Sequence, residues 1–201
     1  ANIDNFNIDK ADGYILINDL SFSDNPQKSL HINNINIETQ NSVSPQFLSL
    51  ESDFVDAKID GSYSFKTILP TIKDILSHSF PVFFGEGTHA NVANATQHNS
   101  RQNNFTYHAT IKKSPQLFDY FNISYELFSP ITISGEINHP LHKMNLVADV
   151  PYVAKKNKLI EKTQLEIDID PSIDKCLLRA FTEYPTKHGK MPLEIVCNGG
   201  D

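Results

Sequence analysis

The sequence predicts a mainly β protein: a long, strongly curled antiparallel sheet carrying one amphipathic helix and one short helix on its concave face. Three observations predict it. Apolar residues recur at every second position through most of the chain, the mark of strands with one buried face. Pro, Asn, Asp and Gly interrupt these runs at short intervals, so consecutive strands are antiparallel neighbours. Within residues 61–84 alone, a long run changes to helical spacing.

The first strand covers residues 13–23, with Tyr14, Leu16, Leu20 and Phe22 on one face and Asn18 in the same row. After a turn at residues 24–26, residues 29–39 alternate again. Their apolar phase moves from Leu30 and Ile32 to Ile35 and Ile37, and a bulge at Asn33 and Asn34 absorbs the slip. Residues 47–54 place Leu48, Leu50 and Phe54 on one face, whereas Val55, Ala57 and Ile59 come next on the other parity, which calls for a second bulge near Phe54. Repeated slips bend and twist a sheet, hence the expected curl.

Gly61 leads through Tyr63 and Phe65 into the helix. Ile68, Leu69, Ile72, Ile75 and Leu76 fall at i, i+1, i+4, i+7 and i+8, one stripe of a 3.6-residue helix. Pro70 is tolerated only in a first turn, so the helix begins between residues 67 and 69, and Pro81 ends it. Burying such side chains stabilises by about 1.5–3 kcal/mol each, far more than propensity supplies to so short a helix, so the stripe must lie on an apolar sheet. Residues 85–104 hold almost nothing to bury and read as a long mobile loop between two strand-helix units.

The second unit is shorter. Phe105, Tyr107, Ala109 and Ile111 form its strand, and a short helix comes after it with Ser114 as N-cap, Pro115 in first position and Leu117, Phe118 and Phe121 on its apolar side. The remainder is a meander of strands: one carrying Ile131, Ile133 and Ile137, one carrying Met144, Leu146, Ala148 and Val150, then residues 159–169, 176–184 and 191–197. Glycines in or opening strands, Gly13, Gly61 and Gly135, mark bends or close backbone approaches. Residues 1–201 are read as a single β-rich module.

A net charge of −7 and a pI near 5.6, without a basic run, argue against nucleic acid and against electrostatic docking on anionic lipid. No apolar run is long enough to span a membrane as a helix, and the first residues have no signal-peptide pattern. The two cysteines, Cys176 and Cys197, lie in the last two strands, either as a disulfide or as two buried thiols.

Candidate chemistry is thin. His139 and His142 have a spacing that a metal site uses, but further ligands are not evident and Pro140 marks a turn. Glu166, Asp168, Asp170 and Asp174 lack the glycine and terminal glutamate of a calcium loop and read as the wet face of a strand whose Leu165, Ile167 and Ile169 face in. His89, His98 and His108 have no nucleophile elbow to serve, and no phosphate loop exists. No catalytic residue, metal or cofactor is expected.

The apolar rows remain. A long curled sheet with few helices has more inner face than cover, and an uncovered apolar concavity binds acyl chains or partners. The candidate lining set is Leu16, Leu20, Phe22, Ile35, Ile37, Leu48, Leu50, Ile59, Tyr63, Phe65, Phe105, Tyr107, Ile111, Ile131, Ile133, Met144, Leu146, Leu165 and Ile167, with Ile68, Leu69, Ile72, Ile75 and Leu76 packing the helix on it. The first and last strands are expected to be exposed edges, open to self-association.

The run SDFVDAKIDGSYSFKTILPTIKDILSHSFP (residues 52–81) resembles the TamB family of translocation and assembly modules in the AsmA-like superfamily: a strand, a glycine, an aromatic strand and a proline-entered helix in that order. NFTYHATIKKSPQLFDYF (residues 104–121) and ITISGEINHPLHKMNLVADVP (residues 131–151) are similar to the stretches C-terminal to that helix in such chains. The likeness spans nearly the whole sequence and rests on element order. It implies an internal, non-catalytic periplasmic segment of a long inner-membrane-anchored protein of a Gram-negative bacterium, its sheet rolled into a taco-like apolar groove. Such a groove carries phospholipid, or holds outer-membrane protein strands, and the full chain meets an outer-membrane barrel partner. The competing expectation is a two-sheet β-sandwich acting in carbohydrate binding or adhesion, with a hydrolase behind both.

Overall fold

A computed structural model of the chain describes residues 8–25, 28–84, 103–155 and 158–199. A 3-10 turn (Ile8–Lys10) precedes β1 (Asp12–Asn25), β2 (Lys28–Gln40), β3 (Gln46–Ser52) and β4 (Val55–Ser62). Helices α1 (Ile68–Ser79) and α2 (Pro81–Phe84) come next, then β5 (Asn104–Ile111), α3 (Pro115–Tyr120), the short β6 (Glu126–Leu127) and β7 (Ile131–Asn138). The chain finishes with β8 (Lys143–Lys155), β9 (Lys158–Asp170), β10 (Lys175–Thr186) and β11 (Gly189–Asn198). The long loop expected over residues 85–104 lies mostly outside the described residues; only its last two, Asn103 and Asn104, fall within them.

The strands form one 11-stranded antiparallel sheet in the order β1-β2-β3-β4-β5-β7-β8-β9-β10-β11, with β6 paired beside β8. The sheet is open, and β1 and β11 are its edges, as the sequence predicts. A two-sheet sandwich is not what these strands build.

Register explains the amphipathic character of the sheet. Taking the paired residues from edge to edge, one row reads Thr39, Leu48, Ile59, Tyr107, Gly135, Leu146, Ile167, Leu178, Cys197. The next row on the same face reads Ile15, Ile37, Leu50, Ala57, Ala109, Ile133, Ala148, Leu165, Ala180, Ile195. The row between them, on the opposite face, reads Glu38, Ser49, Lys58, His108, Ser134, Val147, Glu166, Arg179. One face is therefore apolar across the whole sheet and the other largely polar, and alternation in sequence is the cause.

The expected phase slip in β2 is present. Leu30 and Ile32 are buried, the alternation then changes, and Ile35 and Ile37 are half-buried. The bulge expected at Asn33 and Asn34 is not what produces it: pairing with β1 keeps its register from Asn34 to Ile32, with no extra residue, and the irregularity is instead the left-handed conformation (φ 54°) of Asp19 on β1 opposite Asn33. The backbone N–H and side-chain amide of Asn33 both donate to Asp53 Oδ2, at 2.6 and 2.8 Å. A matching irregularity occurs in β9, where Lys162 has φ 51° and the β9–β10 register shifts between Phe181 and Glu183. Both lie where the short central strands stop, so the longer outer strands change course beyond them.

The second expected bulge is corrected. Residues 53 and 54 are not a bulge within one strand but the turn between β3 and β4, and the parity change at Phe54 is a chain reversal. Ser52 holds this turn, its hydroxyl donating to Val55 O at 2.8 Å and accepting from Val55 N at 3.0 Å.

Helix α1 starts after Thr67 and stops at Phe80, in front of Pro81, and its Pro70 sits in the first turn. It lies on the apolar face over a core of Tyr63, Ile75, Phe80, Phe105, Ile137, Met144, Ile167 and Ile169. Ile68, Ile72 and Leu76 pack around that core. Leu69 is the exception: it is 75% exposed, so the stripe is one residue narrower than the sequence suggests. Helix α3 has Ser114 and Pro115 where expected and lies against the β2 arm, with Tyr120 donating to Asp24 at 3.3 Å and stacked under Lys28.

Candidate apolar groove

The anchoring of α1 decides where the apolar face is covered. At its N-terminus, Asn103 is buried and its side chain accepts from Ser64 N at 3.0 Å while donating to Thr67 Oγ1 and Thr71 Oγ1 at 3.0 and 2.6 Å. Asp9 accepts from Ser64 Oγ and Phe65 N, both at 2.8 Å, which ties the 3-10 turn before β1 to the helix entrance. Tyr63 donates to Asn41 Oδ1 at 2.7 Å, and its N–H donates to Gln46 Oε1 at 3.0 Å. In mid-helix, Asp74 meets His139 at 3.3 Å and His142 at 3.7 Å, both from the β7–β8 turn. At the C-terminus, Ser79 O accepts from the Cys176 thiol at 3.4 Å.

These ties fix α1 over one end of the strands, above the row of Gly61, Phe105, Ile137, Met144, Ile169 and Cys176. At that end Gly61 (φ 141°) and Gly135 permit close approach. A Cβ on Gly135 would collide with Asn145 O and stand 2.6 Å from the Tyr107 hydroxyl. Tyr107 uses that vacancy: its ring crosses β7 and its hydroxyl donates to Asn145 O at 3.1 Å, and burial pushes the phenol up to about 12.

Away from α1, the row of Ile37, Leu50, Ala57, Ala109, Ile133, Ala148, Leu165 and Ala180 is only partly buried on every strand. No helix among the described residues covers it as α1 covers the neighbouring end. Alanines on β4, β5, β8 and β10, the first two paired directly with each other, are interspersed with larger side chains and give a shallow apolar track that crosses the strands. At the opposite end, α3 and β6 form the other border, with Leu127 buried.

The candidate residues divide accordingly. Leu48, Ile59, Tyr107, Leu146 and Ile167 share one row, and Ile37, Leu50, Ile133 and Leu165 share the next. Ile111 and Ile131 are paired further along, with Ile35 opposite Ser52. Phe105 and Met144 lie beneath α1. Tyr63 and Phe65 have left the sheet: Tyr63 is fully buried and belongs to the helix anchor, and Phe65 packs edge-on against it. Leu16 pairs with Asn36, a row that continues through Glu51 and Asp56, so it sits on the polar face and is 56% exposed. Leu20 and Phe22 lie on the β1 arm beyond Asp19. Sequence reasoning left out Ala57, Ala109 and Ala148, although their i+2 phase with Ile59, Tyr107 and Leu146 was visible, because alanine is too small to stand out in an apolar pattern; it also left out Leu178, Ala180 and Cys197, which only the pairing of β10 and β11 brings into these rows.

Other clusters do not make a reactive centre. Among the described residues no group of three or more His, Cys, Asp or Glu side chains is placed to hold a metal ion. The polar-face depression of about 450 Å³ beside Lys143, Asp168, Asp170 and Lys175 is internally neutralised by pairs such as Lys143 with Glu136 and with Asp170, each at 3.3 Å. Cys176 and Cys197 are free thiols, and burial pushes the Cys176 thiol up, away from reactivity.

Comparison with protein-family models, curated proteins and solved structures gives no match to this chain.

Proposed function

We propose that this chain is a non-catalytic groove segment of the envelope of a Gram-negative bacterium, a periplasmic part of a TamB- or AsmA-like bridge whose apolar track shelters phospholipid acyl chains between the inner and outer membranes. One observation carries the reading: an apolar face continuous across the sheet, covered by α1 at one end and only partly buried, with no helix over it among the described residues, along the row through Ala109, Ile133 and Ala148. An exposed, contiguous apolar surface marks a site of binding, and a track floored by small residues between bulkier rows suits a flexible chain. The order of strand, glycine, helix and strand that resembles the TamB family supports the same reading. An outer-membrane protein strand is the other cargo that the family resemblance implies.

Native mass spectrometry of the protein purified without detergent tests it. Phospholipid should copurify and be lost from Ile133→Asp and Ala148→Asp, which place charge on the uncovered track while leaving α1 and its core in place. Lipid-free wild-type protein, or variants that retain lipid, would overturn the reading; a copurified polypeptide would reassign the cargo.

A further inference from the structure

Two pairs of polar side chains from separate elements meet at the covered end of the sheet. Asp74 and His78 stand at i and i+4, on one face of α1. His139 and His142 stand at i and i+3 across the 3-10 turn (His139–Leu141) between β7 and β8. Pro140 stiffens that turn, and His142 closes it in a left-handed conformation (φ 50°). In sequence the two turn histidines have metal-ligand spacing but no further ligands; the packing of α1 brings two.

The separations are closer to those of neighbouring ligands on one ion than to those of tight hydrogen bonds. Asp74 Oδ2 lies 3.3 Å from His139 Nε2 and 3.7 Å from His142 Nδ1. A charge-assisted hydrogen bond closes to about 2.7–2.9 Å. Two ligands on a tetrahedral zinc ion, with bonds of about 2.0–2.1 Å, stand about 3.4 Å apart, and two imidazoles on it have ring centres roughly 5 Å apart. The His142 ring centre is 5.8 Å from that of His139 and 5.5 Å from that of His78. As they stand these side chains hold one another and are not closed on a common point. Rotation of His78 and His142, which are both exposed, is what an ion has to add, while Asp74 and His139, with 13% and 16% of their side chains exposed, are held in place.

The geometry points to a binding site for a divalent transition-metal ion formed by Asp74, His78, His139 and His142, which pins α1 to the β7–β8 turn. Three imidazoles and one carboxylate suit zinc, and lack the oxygen array that calcium or magnesium takes. The inference goes beyond the lipid reading and does not depend on it, because the ion is bound on α1 and its turn and is measured on lipid-free protein.

The test is calorimetric titration of the whole chain, stripped with chelator, with zinc sulfate. Wild type should bind one ion at the cluster, and cobalt(II) in its place should give the intense visible bands of four-coordinate cobalt. Asp74→Asn, His78→Ala, His139→Ala and His142→Ala should each weaken binding beyond the about 10–100-fold that loss of an outer-shell partner causes, with circular dichroism to confirm folding. His108→Ala, on the polar face, should leave it unchanged. Zinc should also raise the melting temperature of wild type and not that of His139→Ala, a readout that needs no comparison of affinities. No saturable binding by wild type overturns the inference, as does equal binding by His139→Ala and His142→Ala, which marks an adventitious ion only. Wild-type affinity in His78→Ala, or six-coordinate cobalt, overturns the four-ligand set.

Discussion

Ile75 is the side chain through which α1 grips the sheet, and shortening it should be costly. It is fully buried among Ile137, Met144 and Ile169, which are exposed by 2% or less. Isoleucine to alanine in a core destabilises by about 2–5 kcal/mol, and the upper part of that range applies where the surroundings are unable to collapse into the cavity. Here the floor is a hydrogen-bonded sheet, and the helix is held at both ends by Asn103 and by the Ser79 carbonyl, so neither side of the cavity is free to move. We expect Ile75→Ala to cost about 3.5–5 kcal/mol, lowering the melting temperature by roughly 7–20 °C for a domain of this size. Leu69→Ala, in the first turn of α1 and on its exposed side, should change stability by no more than about 0.5 kcal/mol. Urea denaturation measures both, with unchanged m values assigning the loss to the native state. A cost below about 1 kcal/mol for Ile75→Ala, or equal costs for the two variants, would refute the placement of α1 as a packed cover and make it a docking surface instead.

The same contacts set further outcomes. Gly135→Ala forces a methyl group against Asn145 O and the Tyr107 hydroxyl, and overpacking of this kind costs about 1–3 kcal/mol; combining it with Tyr107→Phe should recover only part, because the backbone clash remains. The raised Tyr107 phenol makes stability pH-dependent. The unfolded chain releases this proton near pH 10 and the folded one near 12, so the folded state binds more protons in that window and stability falls as pH rises through it. Thermal melts at several alkaline pH values should show the fall, and Tyr107→Phe should flatten it; an unchanged slope in that variant would remove Tyr107 as the cause.

The alternation of Leu48 with Leu50, or of Phe105 with Tyr107 and Ala109, determined strands and their apolar face from sequence alone, because the two-residue repeat of a strand is a local property of the chain. The start of α1 at Thr67 and of α3 at Pro115 was legible for the same reason, since proline acts on its own turn. Which apolar residues are cover and which are track was not legible. Tyr63 and Leu16 are both aligned with apolar rows in sequence, yet Tyr63 is sealed under α1 and Leu16 stands on the polar face. The hydrogen bonds of Asn103, the turn at residues 53 and 54 that reverses the chain where alternation alone suggested a bulge, and the course of the ladder decide this. Each depends on residues far apart in sequence being brought together, and a periodicity carries no record of its partner. The sequence by itself determined an amphipathic, edge-bearing antiparallel sheet; only the tertiary structure decided that α1 closes one end of its apolar face and leaves the alanine-floored row open, because register across ten paired strands, rather than composition, sets what lies beneath the helix.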